Sequence, residues 1–436
     1  MTPTTKTDNS PQATSPTDLW ELFPALHLLR ASGLAIDPRK MFLGGLALVL
    51  LAWGESLFML LPFAPSARLS EITFQREPTI VSCLAGCAGF TARPHLNTWL
   101  SWDSAAFSLL TPVRTLIEPA RVIFQANQTW PVLALGWTRL LWALIVWSLV
   151  GGALCRMNAL QFAARKRISL RAAFGFSRRQ LLSYLVAPIL PLSAVLILYG
   201  FNALLGCAAS LAPTVGSIAL GIGWGIVLFT GFLMAMLTLG LALGWPLMIA
   251  AISAEDSDGF DGLSRTFGYL FDRPWHAGLF AVSGFSVFAV SRVLIATLVG
   301  LAISLGAEAV ECGAESMLPF EESTVSFRLG RHSQLNPAGV IASQLEAVLT
   351  EGRRFDWQNV VRGSGPVAWT LVPVLLYVGF GPSFFWSATT VSYFLLRKSD
   401  DGTPLDSVVD WPGKVESESL TATGNSLSET PPDSET

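Results

Sequence analysis

The sequence predicts an all-α protein, a polytopic membrane helix bundle with about six transmembrane helices and amphipathic hairpin helices on its cytoplasmic side. Hydrophobic residues make up 51% of its 436 residues and charged residues only 14%, whereas soluble domains carry about 25% charged residues. Several apolar runs are long enough to cross about 30 Å of hydrocarbon. The fifteen tryptophans also suit a bilayer, because indole rings anchor at its interfaces.

The apolar runs define the predicted spans, and a polar segment precedes them. Residues 1–18 are rich in Thr, Ser and Pro, which predicts disorder, and they lack the pattern of a secretory signal. The fourth run is over-long and contains Pro246, where we expect a kink because proline removes a helical hydrogen bond. The predicted spans are 41–63, 131–155, 181–205, 218–250, 275–304 and 366–396.

Basic residues flanking the spans predict the orientation. Residues 156–180, the basic loop, contain seven cations and no acid, and the connection 206–217 has no basic residue. Because short cytoplasmic loops carry the excess of Lys and Arg, the sequence predicts both termini, the basic loop and the loop 252–274 in the cytoplasm. The longer segments 64–130 and 305–365 are then external. The cations of the basic loop are Arg156, Arg165, Lys166, Arg167, Arg171, Arg178 and Arg179.

An acidic segment, residues 255–273, connects the fourth and fifth spans and shows the apolar spacing of an amphipathic helix. Asp258 is placed to cap the helix N-terminus, and Asp261 and Arg265 form a favourable i,i+4 pair. A structural connector is the favoured interpretation, with a ligand-binding loop as the alternative. The apolar stripe is Phe260, Leu263, Phe267, Leu270 and Phe271.

The acidic segment and the basic loop face the same compartment with opposite charge. Five acids against two arginines give the acidic segment −5 + 2 = −3, whereas the basic loop carries +7. Docking of one on the other is one hypothesis, and attachment of the basic loop to anionic lipid is the other; both can hold. The candidate docking residues are Asp258, Asp261, Arg265, Arg178 and Arg179.

The two cytoplasmic connections also resemble each other, which indicates a parallel repeat of spans two–three and four–five, with chance similarity as the alternative. At an offset of 93, Leu170, Phe174, Gly175 and Phe176 align with Leu263, Phe267, Gly268 and Tyr269.

Three charged residues fall within the predicted spans, where each needs a partner or water. They are Glu55, Arg139 and Arg292. Glu55 and Arg139 have matching predicted depths, so we expect a buried ion pair that Arg292 could join. Structural pairing is favoured over a translocation site.

Catalytic, cofactor and metal patterns are missing from the sequence. The four histidines are scattered, and no phosphate-binding glycine loop, nucleophile elbow or zinc spacing is found. We therefore expect no enzyme activity, no cofactor and no metal. Cys83, Cys87 and Cys312 lie in predicted external segments, where either a disulfide or free thiols is possible.

The remaining segments complete the predicted domain organisation. Residues 104–124 read as an apolar-faced segment lying along the membrane and broken by prolines, and 336–352 as a capped helix. Residues 19–398 form the predicted membrane domain, and the acidic tail 399–436 is predicted to be disordered.

Five segments resemble, in the same order, an uncharacterised family of multi-pass membrane proteins of planctomycete-type bacteria. They are "AIDPRKM" (35–41), "GGAL" (151–154), "ISLRAAFGFSRRQLLSYLVAPILP" (168–191), "DGFDGLSRTFGYLFDRP" (258–274) and "YFLLRKSDDGTPLD" (393–406). The acidic segment is also faintly similar to YIP1-like and glycerophosphodiester-phosphodiesterase-associated membrane domains. These resemblances imply a non-catalytic membrane bundle and bring no catalytic residues.

Residues 171–188 resemble the cytoplasmic coupling loop of ABC permeases in part. Ala172, Ala173, Gly175 and Pro188 fit, but Arg171 stands where that motif has a glutamate. The spacing to the glycine is also too short. A permease is therefore the alternative.

The sequence predicts an integral protein of the bacterial inner membrane, a non-enzymatic scaffold or subunit of a membrane assembly. A transporter component with a polar site between spans is the alternative. The expected partners are the lipid bilayer, with anionic lipid at the basic loop, and other membrane proteins. No nucleic-acid partner is expected from a net charge of −3.

Overall fold

The computed structural model describes residues 24–58, 102–125, 128–211, 213–317 and 357–408. These residues are almost entirely helical and contain no strand, so the all-α prediction is confirmed for this part of the chain. A 3-10 turn, Pro24–His27, comes first. The α-helices that follow are α1 Leu28–Ala35, α2 Pro38–Phe58, α3 Trp102–Ile123, α4 Trp130–Ala163, α5 Leu170–Arg179, α6 Leu181–Leu211, α7 Pro213–Ile222, α8 Trp224–Glu255, α9 Gly259–Asp272, α10 Pro274–Met317 and α11 Trp357–Asp401.

Four helices are long and apolar enough to cross a membrane: α4, α6, α8 and the Pro274–Val299 part of α10. They correspond to the predicted second to fifth spans and indicate a membrane protein. The predicted first span begins in α2 and extends past Phe58 into residues that the structure does not describe. The predicted sixth span lies within α11.

The boundaries of the fourth span differ from the prediction. The helix break falls at Gly223, which separates α7 from α8, so the spanning helix begins at Trp224 rather than at 218. Helix α8 is continuous through Pro246, whose ring is buried.

The core of the bundle is built around α4 and the C-terminal half of α11. In α4, 72% of the apolar window is buried inside the protein, against 22% in α6 and α10 and 11% in α8. On α11, Phe384, Trp386, Tyr393 and Phe394 are fully buried. Helix α11 is therefore enclosed by protein at this level, whereas α6, α8 and α10 turn broad apolar faces outward.

Helices α2 and α11 approach each other backbone to backbone. A Cβ added at Gly44 would overlap the backbone of Gly379, and one at Gly379 would overlap Met41 O. Only glycine fits at such a crossing, because any side chain would push the two helices apart.

Two consecutive units share one plan. The first hairpin is α4–α5–α6 and the second is α8–α9–α10, each with a short amphipathic helix between two long apolar ones. The helix predicted within residues 255–273 is confirmed as α9. We call the end of the bundle where α5 and α9 lie, and where α4, α8 and α11 finish, the inner end.

Helix α3 covers the segment 104–124 that was expected to be broken by prolines. It runs without a break through Pro112 and Pro119 and packs against α4 and α11. Trp147 Nε1 on α4 donates a 2.8 Å hydrogen bond to Thr115 Oγ1 on α3. Packing against two long helices therefore stabilises α3 at Pro112 and Pro119, where the local sequence disfavours a helix.

The C-terminal helix continues to Asp401, past the predicted domain boundary at 398. Arg397 Nη2 then donates to Ser407 O at 2.6 Å, which holds the chain after the helix against the inner end. The predictions for residues 1–18, for the helix 336–352, for Cys83 and Cys87, and for the tail beyond 408 lie outside the described residues.

Candidate functional site at the inner end of the bundle

Helix α5 is fixed to α4 by its small and aromatic residues. Ser169 Oγ accepts the Ala172 N–H and so caps the helix N-terminus. Ser177 is buried, and its hydroxyl donates to Leu149 O at 2.7 Å and contacts Ser148 O at 3.1 Å. Phe176 is buried on the same face.

Helix α9 is capped by the predicted residue. Asp258 Oδ1 accepts the Asp261 N–H at 2.8 Å, and Arg265 Nε donates to Asp261 Oδ1 at 2.9 Å. Gly259 lies so close to α6 that an added Cβ would be 2.6 Å from Ser183 O. The N-terminus of α9 is therefore wedged between α8 and α6.

The basic loop and the acidic segment meet through Arg179 and Asp256. Arg179 Nη2 lies 2.6 Å from both carboxylate oxygens of Asp256, and Gln180 Nε2 also donates to that carboxylate. Asp256 closes α8 with a left-handed backbone, φ 54°, a conformation that Asp tolerates better than most residues. Among the described residues Arg178 has no ion-pair partner and is exposed.

The residues that join the two hairpins are thus partly different from the predicted set. Of the predicted pair Arg178 and Arg179, the structure brings Arg179 to an acid. Asp258 serves as a cap, and Asp261 pairs within its own helix. Nothing in the local sequence favours Asp256 over its neighbours, since its role depends on where α8 ends.

Glu255 is the centre of a charge cluster that joins α8, α9 and α11. Its carboxylate pairs with Arg265 on α9 and with Arg397 on α11, 3.1 Å away, and accepts the Tyr393 hydroxyl. Only 12% of the Glu255 side chain and 6% of the Arg397 side chain are exposed. The hydrogen bond that Arg265 donates to Asp261 and the nearby Glu255 charge raise the pKa of Arg265 above its ordinary value.

The end of α11 adds a second set of contacts to α9. The Tyr269 hydroxyl donates to Asp401, and Arg273 Nε donates to Asp400 at 3.1 Å. Burial, followed by the Asp401 carboxylate, raises the pKa of Tyr269. A shallow pocket of about 340 Å³ lies beside this contact, lined by Asp272, Arg273, Pro274, Trp275, His276 and Asp400.

A buried polar layer lies beneath these charges. Arg156 on α4 is buried; its Nη1 donates to Ser253 O at 2.9 Å, and its guanidinium stacks 4.4 Å from the Phe176 ring. The Ser253 hydroxyl in turn lies 2.8 Å from the Tyr184 hydroxyl. These contacts tie α4, α6 and α8 together, and none was predicted, because each residue looks ordinary within its own segment.

Lys40 is a third buried cation of the inner end, after Arg397 and Arg156. Its Nζ donates to Asn158 Oδ1 and to Gln161 Oε1, both at 2.7 Å. Ser387 Oγ donates to Ser383 O at 2.8 Å and lies 3.2 Å from Asn158 Oδ1. Burial lowers the pKa of Lys40 to about 8. The sequence placed Lys40 in a flank that sets orientation, and nothing in its neighbourhood signalled burial.

The predicted intramembrane charges lie at the other end of the bundle. Arg139 Nη2 is 2.6 Å from Glu55 Oε2, with 6% of the arginine and 39% of the glutamate side chain exposed. Trp53, Phe58 and Trp142 form an aromatic group around this part of α2 and α4. Arg292 is half-buried on α10, and its joining this pair stays a prediction.

Within the described ranges, no group of three or more His, Cys, Asp or Glu is arranged to hold a metal ion. No protein-family model, curated protein or solved structure matches the chain. The fold therefore indicates a helical membrane protein, and its function has to be inferred from the contacts at the inner end.

Proposed function

We propose that the protein is a non-enzymatic scaffold or subunit of a membrane assembly in the bacterial inner membrane, with six spans and both termini in the cytoplasm. The observation that carries this proposal is the cluster around Glu255 and Asp256. It joins α5, α8, α9 and α11 at one end of the bundle through ion pairs and hydrogen bonds. An end cross-linked in this way favours a fixed support over a gate.

The lipid bilayer is the first proposed partner, with anionic lipid at the basic loop. Helices α6, α8 and α10 direct large apolar side chains outward. The basic loop adds exposed cations without a described ion-pair partner at Arg165, Arg167, Arg171 and Arg178. Each cation near an anionic surface contributes about 1 kcal/mol. Other membrane proteins are the second proposed partner.

A transporter component is the alternative, and the Glu55–Arg139 pair is the observation that favours it. Charges deep in a membrane bundle often mark an ion or substrate path. The pair is satisfied at 2.6 Å, however, and a buried ion pair also serves a structural role.

Two measurements test the proposal. Reporter fusions after residues 170 and 262 and at the C-terminus should read cytoplasmic, and those near 90 and 335 external. The distance between α5 and α9 is measured with spin labels at Arg178→Cys and Ser264→Cys in a protein without its native cysteines. A fixed scaffold should give one narrow distance distribution in liposomes. Two populations that shift with an applied ion gradient would favour alternating access and reject the scaffold.

A further inference from the structure

Lys40 is a buried ammonium group held by neutral partners. Its side chain is fully buried between α2, α4 and α11, and its two described hydrogen bonds go to the amide oxygens of Asn158 and Gln161. A protonated lysine has three N–H donors and no acceptor. One donor therefore remains for another group.

No carboxylate of a described residue lies within ion-pair distance of Lys40 Nζ. Asp37 is near enough to act on its charge, but Asp37 Oδ1 accepts the Arg39 N–H at 3.1 Å. Arg167 acts on Lys40 with the same sign of charge. A buried cation without a counter-ion is costly, so the site favours an added negative charge.

Asn158 supplies a second donor aimed at the same region. Its Oδ1 accepts from Lys40 Nζ, which has no acceptor of its own, and this fixes the amide orientation. Its buried Nδ2 has no acceptor among the described residues. Because the two heteroatoms of an amide are about 2.2 Å apart, Nδ2 lies within about 5 Å of Lys40 Nζ.

We propose that Lys40 Nζ and Asn158 Nδ2 bind a halide ion, chloride under ordinary conditions. The ion accepts one N–H from the ammonium and one from the amide and neutralises the buried charge. A monatomic anion suits the site, because the backbones of α2 and α11 are in contact one turn away at Gly44 and Gly379. The inference goes beyond the scaffold proposal and does not depend on it.

Thermal unfolding of the purified full-length protein tests this site. Sodium gluconate is replaced by sodium chloride or sodium bromide at constant ionic strength and at pH 7. The midpoint should rise by several degrees and saturate, because a ligand that binds only the folded state stabilises it by mass action. A midpoint that does not respond to halide would overturn the proposal.

Two variants locate the effect. Asn158→Asp keeps the size of the side chain and places a carboxylate beside Lys40, so it should melt independently of halide while remaining folded. Arg178→Gln, an exposed cation of the basic loop, should keep the full response. A full response in Asn158→Asp, or its loss in Arg178→Gln, would place the ion elsewhere and reject the assignment. In crystals grown with bromide, an anomalous peak between Lys40 Nζ and Asn158 Nδ2 gives a direct readout.

Discussion

The two hairpins place a short helix in the same position, but the charges of α9 are paired within the protein, whereas those of the basic loop are mostly exposed. In both, a side chain caps the short helix, Ser169 for α5 and Asp258 for α9, and an apolar face packs onto the preceding long helix. In the second hairpin, Asp261, Arg265 and Arg273 all have partners within the protein. In the first hairpin, several arginines of the basic loop are exposed and lack a described ion-pair partner.

This difference gives the two short helices different roles. Helix α9 acts as a brace, by which we mean that its charges bind the ends of α8 and α11 together, whereas α5 presents an external surface. The α9 charges connect to Glu255 and to the end of α11, so they stabilise the bundle itself. Of the α5 cations, Arg179 is engaged by Asp256, whereas Arg178 beside it is exposed. Similar local sequences therefore acquire different roles according to what the neighbouring helices present.

The largest effect should come from Glu255→Gln, which breaks the brace at its centre. The change leaves Arg265 and Arg397 without their shared carboxylate, and Arg397 is almost fully buried. Breaking a buried ion pair costs about 3 kcal/mol or more. The free energy of unfolding, measured in detergent by denaturant titration, should fall by that amount.

Asp261→Asn is the matched control for Glu255→Gln. It removes an exposed i,i+4 pair in the same helix, so the loss should stay within about 0.5 kcal/mol. Equal losses in the two variants would mean that α9 is not a brace.

A smaller effect should come from the contact between the hairpins. In the cycle of Arg179→Gln and Asp256→Asn, we expect a coupling of about 1 kcal/mol, because 47% of the Arg179 side chain is exposed. Asn is chosen since it tolerates the left-handed backbone of Asp256. The parallel cycle of Arg178→Gln and Asp258→Asn should show no coupling. Coupling between Arg178 and Asp258, with none between Arg179 and Asp256, would contradict the structure.

Tyr269→Phe should cost about 1 kcal/mol, the net value of a typical hydrogen bond, because this one is only partly buried and the Asp401 carboxylate stays exposed to water. The variant also tests pH dependence. Because the folded state raises the pKa of Tyr269 above its ordinary value near 10, the fold retains a proton that the unfolded chain loses. This contribution is therefore present below pH 10 and declines as the pH rises further. Unfolding titrations between pH 7 and 11 should show a smaller alkaline decline in Tyr269→Phe than in the parent protein.

Effects of about the same size or smaller should come from the two helix caps. Asp258→Ala should cost about 1 kcal/mol and Ser169→Ala about 0.5 kcal/mol, because the Asp258 bond is shorter and its charge also suits the helix dipole. Hydrogen exchange at the first-turn amides of α9 and α5 measures each loss separately. Faster exchange in α5 than in α9 after these changes would reverse the expected order.

Periodicity and charge allowed the local structure of the second hairpin to be predicted. The apolar spacing, the Asp258 cap and the Asp261–Arg265 pair depend only on residues within one turn or two of each other. Partners on other helices could not be inferred in the same way. Asp256, rather than Asp258, meets Arg179 because α8 ends there and turns its carboxylate toward α5.

The sequence by itself determined that long apolar helices form and where most of them begin, since this follows from hydropathy and length. Only the tertiary structure decided which helix is central. Helix α8 is more apolar than α4, with mean hydropathy 2.3 against 1.8, yet 11% of its apolar window is buried against 72% in α4. Apolar side chains suit lipid and protein interior equally, so hydropathy does not distinguish the two surroundings. Shape and polar contacts distinguish them. On α4, Arg156 needs Ser253 and Asn158 needs Lys40 as hydrogen-bond partners on other helices. Gly151 leaves the space that the Trp386 ring fills.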